Sequence, residues 1–143
     1  MREWFIFLSL LAFKCSISGR VIIEEFLEND GCSSDTDSFL HDGQLKFVSF
    51  SAQRFDLNAV NPFTPSAFSW PSTFSKEQEA DLTSELQRLF TLLKMKTSVF
   101  NIETRIANGK PYIMKATPRG GGNRLSEMLR YAPGVDLIRA CVQ

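Results

Sequence analysis

The chain has 143 residues, 43% of them hydrophobic, and its 16 basic and 16 acidic side chains give a formal net charge of +0. That length and apolar content suit one domain with a core of its own. The balanced charge argues against a protein that grips nucleic acid through bulk electrostatics, and thirteen Phe with two Trp argue against disorder.

Cys15, Cys32 and Cys141 are odd in number and widely spaced. They form neither a zinc pattern nor a disulfide framework, so a reducing, cytoplasmic setting is expected. A lone histidine, His41, cannot build a His-based metal site or a catalytic triad by itself.

The first element is the apolar run Trp4–Phe13 of "MREWFIFLSLLAFKCSISG". It is too short to span a bilayer. It reads either as a helix leading into the domain, amphipathic or buried, or as a secretory signal. Glu3 and the lack of any Asn-x-Ser/Thr sequon argue against the signal, which would make the protein secreted.

"GRVIIEEFL" (19–27) carries the apolar run of a buried strand. Residues 33–55 predict two strands joined at "HDG", with Leu45, Phe47, Val48 and Phe50 apolar in the second. Residues 57–74 hold three prolines, several serines and no charge, which predicts a long ordered loop whose Phe63, Phe68, Trp70 and Phe74 pack onto something. A helix near 76–94 follows. Ser75 and Gln78 form a capping box, Glu77 and Glu79 suit its first turn, and Leu82, Leu86, Leu89, Phe90 and Leu93 make one apolar stripe.

Residues 98–119 predict a hairpin. Phe100, Ile102, Thr104 and Ile106 alternate with Asn101, Glu103 and Arg105. A two-residue Asn-Gly turn would set Ile102 against Lys115 and mismatch every layer. A three-residue loop, Asn108 to Lys110, sets Ile106 on Tyr112, Thr104 on Met114 and Ile102 on Ala116, and is preferred. Glu103 then lies across from Lys115, and Asn101 across from Thr117, on the polar face. Arg119 follows on that face. The triplet Gly120–Gly122 leads into a helix near 124–132, with Leu125, Met128, Leu129 and Ala132 as its buried stripe. That helix start, flanked by Arg119 and Arg124, is a candidate anion site. The fold expected is α+β, a mainly antiparallel sheet of four or five strands with helices packed on one face.

Four blocks in order, "GRVIIEEFL", "DTDSF…DG", "FNIETRIANGKPYIM" and "TPRGGGNRLSEML", followed by "GVDLI", resemble the C-terminal lobe of the ATP-grasp superfamily, and in particular its carbamoyl-phosphate-synthetase-like and biotin-carboxylase-like members. The resemblance runs from about Ala12 to the end. It implies two parts: an atypical apolar segment, 1–11, and a partial ATP-grasp domain, 12–143.

It also implies a nucleotide as ligand, with ATP and magnesium as cofactors of a carboxylate-activating ligase that works through an acyl phosphate. By position, Glu24 and the backbone at Glu25 and Leu27 would meet the adenine edge. Glu103 would be a magnesium ligand, a hard oxygen donor suited to that ion. Arg119 would stabilise phosphoryl charge. The family's "E-x-N-x-R" reads "KATPR" here, so Lys115 and Thr117 replace two metal ligands. No upstream lobe matches. The resemblance thus predicts a truncated or inactive fragment, partnered by a missing lobe or by self-association, or else a non-catalytic nucleotide-binding or interaction module. Neither nucleic acid nor a transmembrane helix is expected.

Overall fold

A computed structural model describes residues 2–28, 30–31, 33–61 and 64–142, with no account of the side chains of residues 2–5. Cys32 and Phe63, both singled out in the sequence, lie outside the described residues.

The elements run in the order α1 (Arg2–Cys15), β1 (Ser33–His41), β2 (Gln44–Phe47), β3 (Ala52–Phe55), β4 (Pro65–Ser69), α2 (Lys76–Leu92), β5 (Ser98–Ala107), β6 (Lys110–Thr117), α3 (Leu125–Tyr131) and α4 (Leu137–Ala140). Four strands form an antiparallel sheet in the order β2-β1-β5-β6, and β3 and β4 form a second, two-stranded sheet. The fold is α+β, as the patterns predict.

Alternation along the central strands β1 and β5 divides the main sheet into two unlike faces. One carries Leu40, Phe100, Ile102 and Ile106, which join Leu82, Leu86 and Phe90 of α2 and the loop residues Phe50 and Phe74 in the core. The rings of Phe90 and Phe100 stand 4.3 Å apart. Helix α2 starts as predicted: Ser75 Oγ accepts from the Gln78 N–H, and Gln78 Oε1 accepts from the Ser75 N–H. Leu89 is half-buried and Leu93, past the last turn, is exposed, so the buried stripe is shorter than expected.

Three expectations need correction. Residues 19–27 are neither strand nor buried: Ile22 is 86% exposed and Phe26 78%. An apolar run shows that a segment suits burial on both faces, but it does not supply the cover. The segment is joined to the main sheet near its end, where Arg105 donates to the Leu27 carbonyl and the Asp30 N–H bonds the Ile106 carbonyl. Second, residues 57–74 hold a strand, β4, that pairs with β3 across Ala52–Ser69 and Gln53–Phe68. Residues 33–55 therefore contribute three strands, not two.

The third correction concerns the β5–β6 hairpin. Asn108 (φ 51) and Gly109 (φ 71) make a two-residue turn, a geometry that requires positive φ at both positions. Near the turn Ile106 faces Pro111 and Thr104 faces Ile113, as that turn dictates. A β-bulge between Glu103 and Thr104 then absorbs one residue. Beyond it Glu103 faces Lys115, Ile102 faces Ala116 and Asn101 faces Thr117, the predicted pairs.

Helix α1 is nearly apolar all round and exposed, with Ile6, Phe7, Leu8, Leu10, Leu11 and Phe13 open to solvent. Among the described residues no helix is long and apolar enough to cross a membrane.

Candidate functional site

The other face of the main sheet is polar. Strand β1 places Asp35 and Asp37 on it, two residues apart, and the register sets Asp35 across from Glu103 and Asp37 across from Asn101. Strand β6 adds Lys115 beside Glu103 and Thr117 beside Asn101. Two parallel rows result, Asp35–Glu103–Lys115 and Asp37–Asn101–Thr117.

The hydrogen bonds are specific. The Asn101 amide donates to Asp35 Oδ1 at 2.6 Å, to Asp37 Oδ1 at 3.3 Å and to the Thr36 carbonyl at 3.3 Å. Asp37 also accepts from the Gly121 N–H at 2.7 Å and from the Ser126 hydroxyl at 3.3 Å. Lys115 Nζ lies 3.1 Å from Glu103 Oε2, with both side chains at least a third exposed. Burial pushes the Asp35 and Asp37 carboxyls above their ordinary value; the Asn101 amide pulls Asp35 back in part, and the Gly121 amide does the same for Asp37.

The structure thus brings Glu103, Lys115 and Thr117 together as expected. Arg119 lies two residues beyond the end of β6, exposed, with its guanidinium donating to the Gly120 carbonyl at 2.7 Å. It remains close enough to Asp37 to stabilise that carboxylate. Leu27 reaches the polar face indirectly, through the 2.8 Å bond from Arg105 to its carbonyl. Glu24 and Glu25 stand exposed on the segment leading to it. At the Gly-rich junction the Gly121 N–H, a donor that an anion would need, is already given to Asp37. Helix α3 there is only 7 residues long and begins from Arg124 in a left-handed conformation with no side-chain cap.

Sequence reasoning missed Asp35 and Asp37. The signal was present in "DTD", since two carboxylates two residues apart on a strand share a face.

These residues do not fit a magnesium ion. A metal of that kind needs free carboxylate oxygens converging on one point. Here Glu103 is held by Lys115, Asp35 by Asn101, and Asp37 by three donors. Among the described residues no group of three His, Cys, Asp or Glu could hold a metal.

Comparison with solved structures gives the fold. The chain superposes on phosphoribosylglycinamide synthetase from Anaerococcus prevotii with a TM-score of 0.65 and 18% identity, covering 91% of this chain and 32% of that one. An L-amino acid ligase from Bacillus licheniformis gives 0.65 and 17%, covering 78% and 28%. Both are ATP-grasp ligases. The chain therefore shares the fold of these two ligases.

No family model matches it. In sequence it is 30% identical over 124 residues to carnosine synthase 1 of Homo sapiens, covering 85% of this chain and 14% of that protein. Carnosine synthase 1 of Gallus gallus is 28% identical over 114 residues, covering 78% and 12%. The chain therefore spans about a seventh of the length of the curated relatives it matches.

Proposed function

We propose that this chain is a nucleotide-binding lobe of ATP-grasp type, related to ligases that join a carboxylate to an amine. The observation that carries the reading is the polar strand face, with Glu103, Lys115 and Thr117 assembled on an ATP-grasp fold and Arg119 at its open end. In this reading Glu24, the backbone at Glu25 and Leu27 receive the adenine, and Arg119 meets the phosphates. A guanidinium suits that role because it is planar, always charged and able to bond two oxygens at once. The relatives named as a carnosine synthase and an L-amino acid ligase support amino acids as the substrate class of the whole system.

The lobe does not by itself turn over ATP. Phosphoryl transfer relies on cations that neutralise the developing charge, and the carboxylates that would hold one here are already partnered. Free, exposed Cys15 and Cys141 support a cytoplasmic site of action. Calorimetric titration with ADP tests the binding reading: saturable one-to-one binding is expected, and no heat at millimolar ADP would sink it.

A second reading, an interaction module, is favoured by one observation. Apolar side chains of α1 and of residues 21–26 are exposed together, and a surface of that kind usually meets a partner. A companion lobe or a second copy of the chain would cover it. Sedimentation of the pure protein as a monomer, with no loss of solubility, would count against self-association.

A further inference from the structure

We propose that the Lys115 ammonium is a resident cation which takes the place of a divalent ion on the polar strand face, so that nucleotide binding there does not depend on magnesium. The inference rests on the nucleotide-binding reading above, and one of its tests does not.

The first support is how Lys115 comes to be there. An unbroken ladder from the two-residue Asn108–Gly109 turn would set Lys115 against Ile102, on the face that α2 covers. The bulge between Glu103 and Thr104 shifts the ladder by one residue and returns Lys115 to the polar face, opposite Glu103. Bulges re-aim side chains in this way at the cost of a ladder interaction. The second support is contact. The ammonium lies 3.1 Å from Glu103 Oε2, and Asp35 is the cross-strand neighbour of Glu103 on the other side. One cation therefore serves a row that holds two carboxylates.

The third support is the state of the remaining donors. Asp35 is engaged by Asn101, and Asp37 by Asn101, Gly121 and Ser126. A divalent ion entering this face would have to displace the ammonium and break those bonds as well. An ammonium carries one positive charge and three donors on a flexible stem, so it can neutralise Glu103 without the octahedral geometry that magnesium demands.

The test uses the whole chain and two probes. Titration with manganese(II) alone, followed by electron paramagnetic resonance, is expected to show no bound ion in the parent. Lys115→Met, at a half-exposed position, frees Glu103 and should bind manganese at least about tenfold more tightly than the detection limit that the parent sets, and Lys115→Glu with Thr117→Asn should tighten it further. Manganese binding as tight in the parent as in Lys115→Met would overturn the proposal. In the second arm, ADP is titrated in EDTA and in excess magnesium. Equal affinities in the parent support the proposal, and a tenfold gain with magnesium would overturn it while leaving the nucleotide reading intact. No ADP binding in either buffer would defeat the nucleotide reading, and with it the claim of magnesium-independent binding. The place of the ammonium would then stand or fall on the manganese arm.

Discussion

The Asp37 carboxylate on β1 accepts the backbone N–H of Gly121 at 2.7 Å, joining a central strand to the Gly-rich turn 84 residues later in the chain. Asn101 and Ser126 donate to the same carboxylate. This one side chain therefore positions the turn that carries Arg119 relative to the sheet.

Asp37→Ala leaves the Gly121 N–H and the Ser126 hydroxyl short of their acceptor, while the Asn101 amide keeps Asp35 and the Thr36 carbonyl. Removing one partner of a buried hydrogen bond costs about 1–3 kcal/mol, more where the acceptor is charged. Urea denaturation should show a midpoint shift of that size with an unchanged slope. A shift below about 0.5 kcal/mol would mean that water replaces the carboxylate at little cost.

Gly121 is required for lack of a side chain. A Cβ there would stand 2.8 Å from both Asn101 Nδ2 and Asp37 Oδ1, and would also collide with Leu125 Cδ1. Gly121→Ala should destabilise by about 1–3 kcal/mol, the usual cost of overpacking. Gly122→Ala, where an added Cβ meets nothing within 4 Å, should be near neutral. Equal thermal shifts for the two variants would contradict the close approach.

The raised carboxyls make stability depend on pH with a definite sign. The folded state binds the Asp35 and Asp37 protons more tightly than the unfolded chain does. Their contribution is therefore most favourable in acid and is lost as pH rises from the ordinary value of 3.8 through the raised folded values. In Asp35→Asn the Asp35 share of that loss is absent. The melting temperature of the variant relative to the parent should rise between pH 4 and pH 7. A relative fall over the same range would contradict the burial argument.

The Lys115–Glu103 pair itself is a weak source of stability. Both side chains are more than a third exposed, so solvent screens the attraction, and Lys115→Ala should cost below about 1 kcal/mol. The cost should shrink further in 1 M salt. A loss of several kcal/mol would mean that Lys115 holds the hairpin together.

Much of this site was legible in the sequence because strand alternation is strict. Once Glu103 and Lys115 are assigned to one hairpin, period-two patterning decides between pairing and separation. The register near the turn was not legible. Strand patterning implies one ladder throughout, whereas the Asn-Gly turn and the pairing beyond Glu103 are both satisfied by a bulge between them. Strand β4 was hidden because Pro65 and three serines nearby read as loop, although proline is tolerated at the first position of a strand. Residues 19–27 misled in the opposite sense: Val21, Ile22 and Ile23 carry the composition of a buried strand where the structure leaves them exposed. The β1 carboxylate of each row was overlooked because Asp35 and Asp37 were read only as part of a strand, without asking which face they share.

The measurement that bears most directly on the account is an amide chemical-shift titration of the full chain with ADP in metal-free buffer. The account expects saturable shifts at Glu24, Glu25 and Leu27, at Lys115 and Thr117 on β6, and at Arg119 with the glycines that follow. No shift at millimolar ADP, or shifts confined to α2 and the β3–β4 sheet, would contradict it.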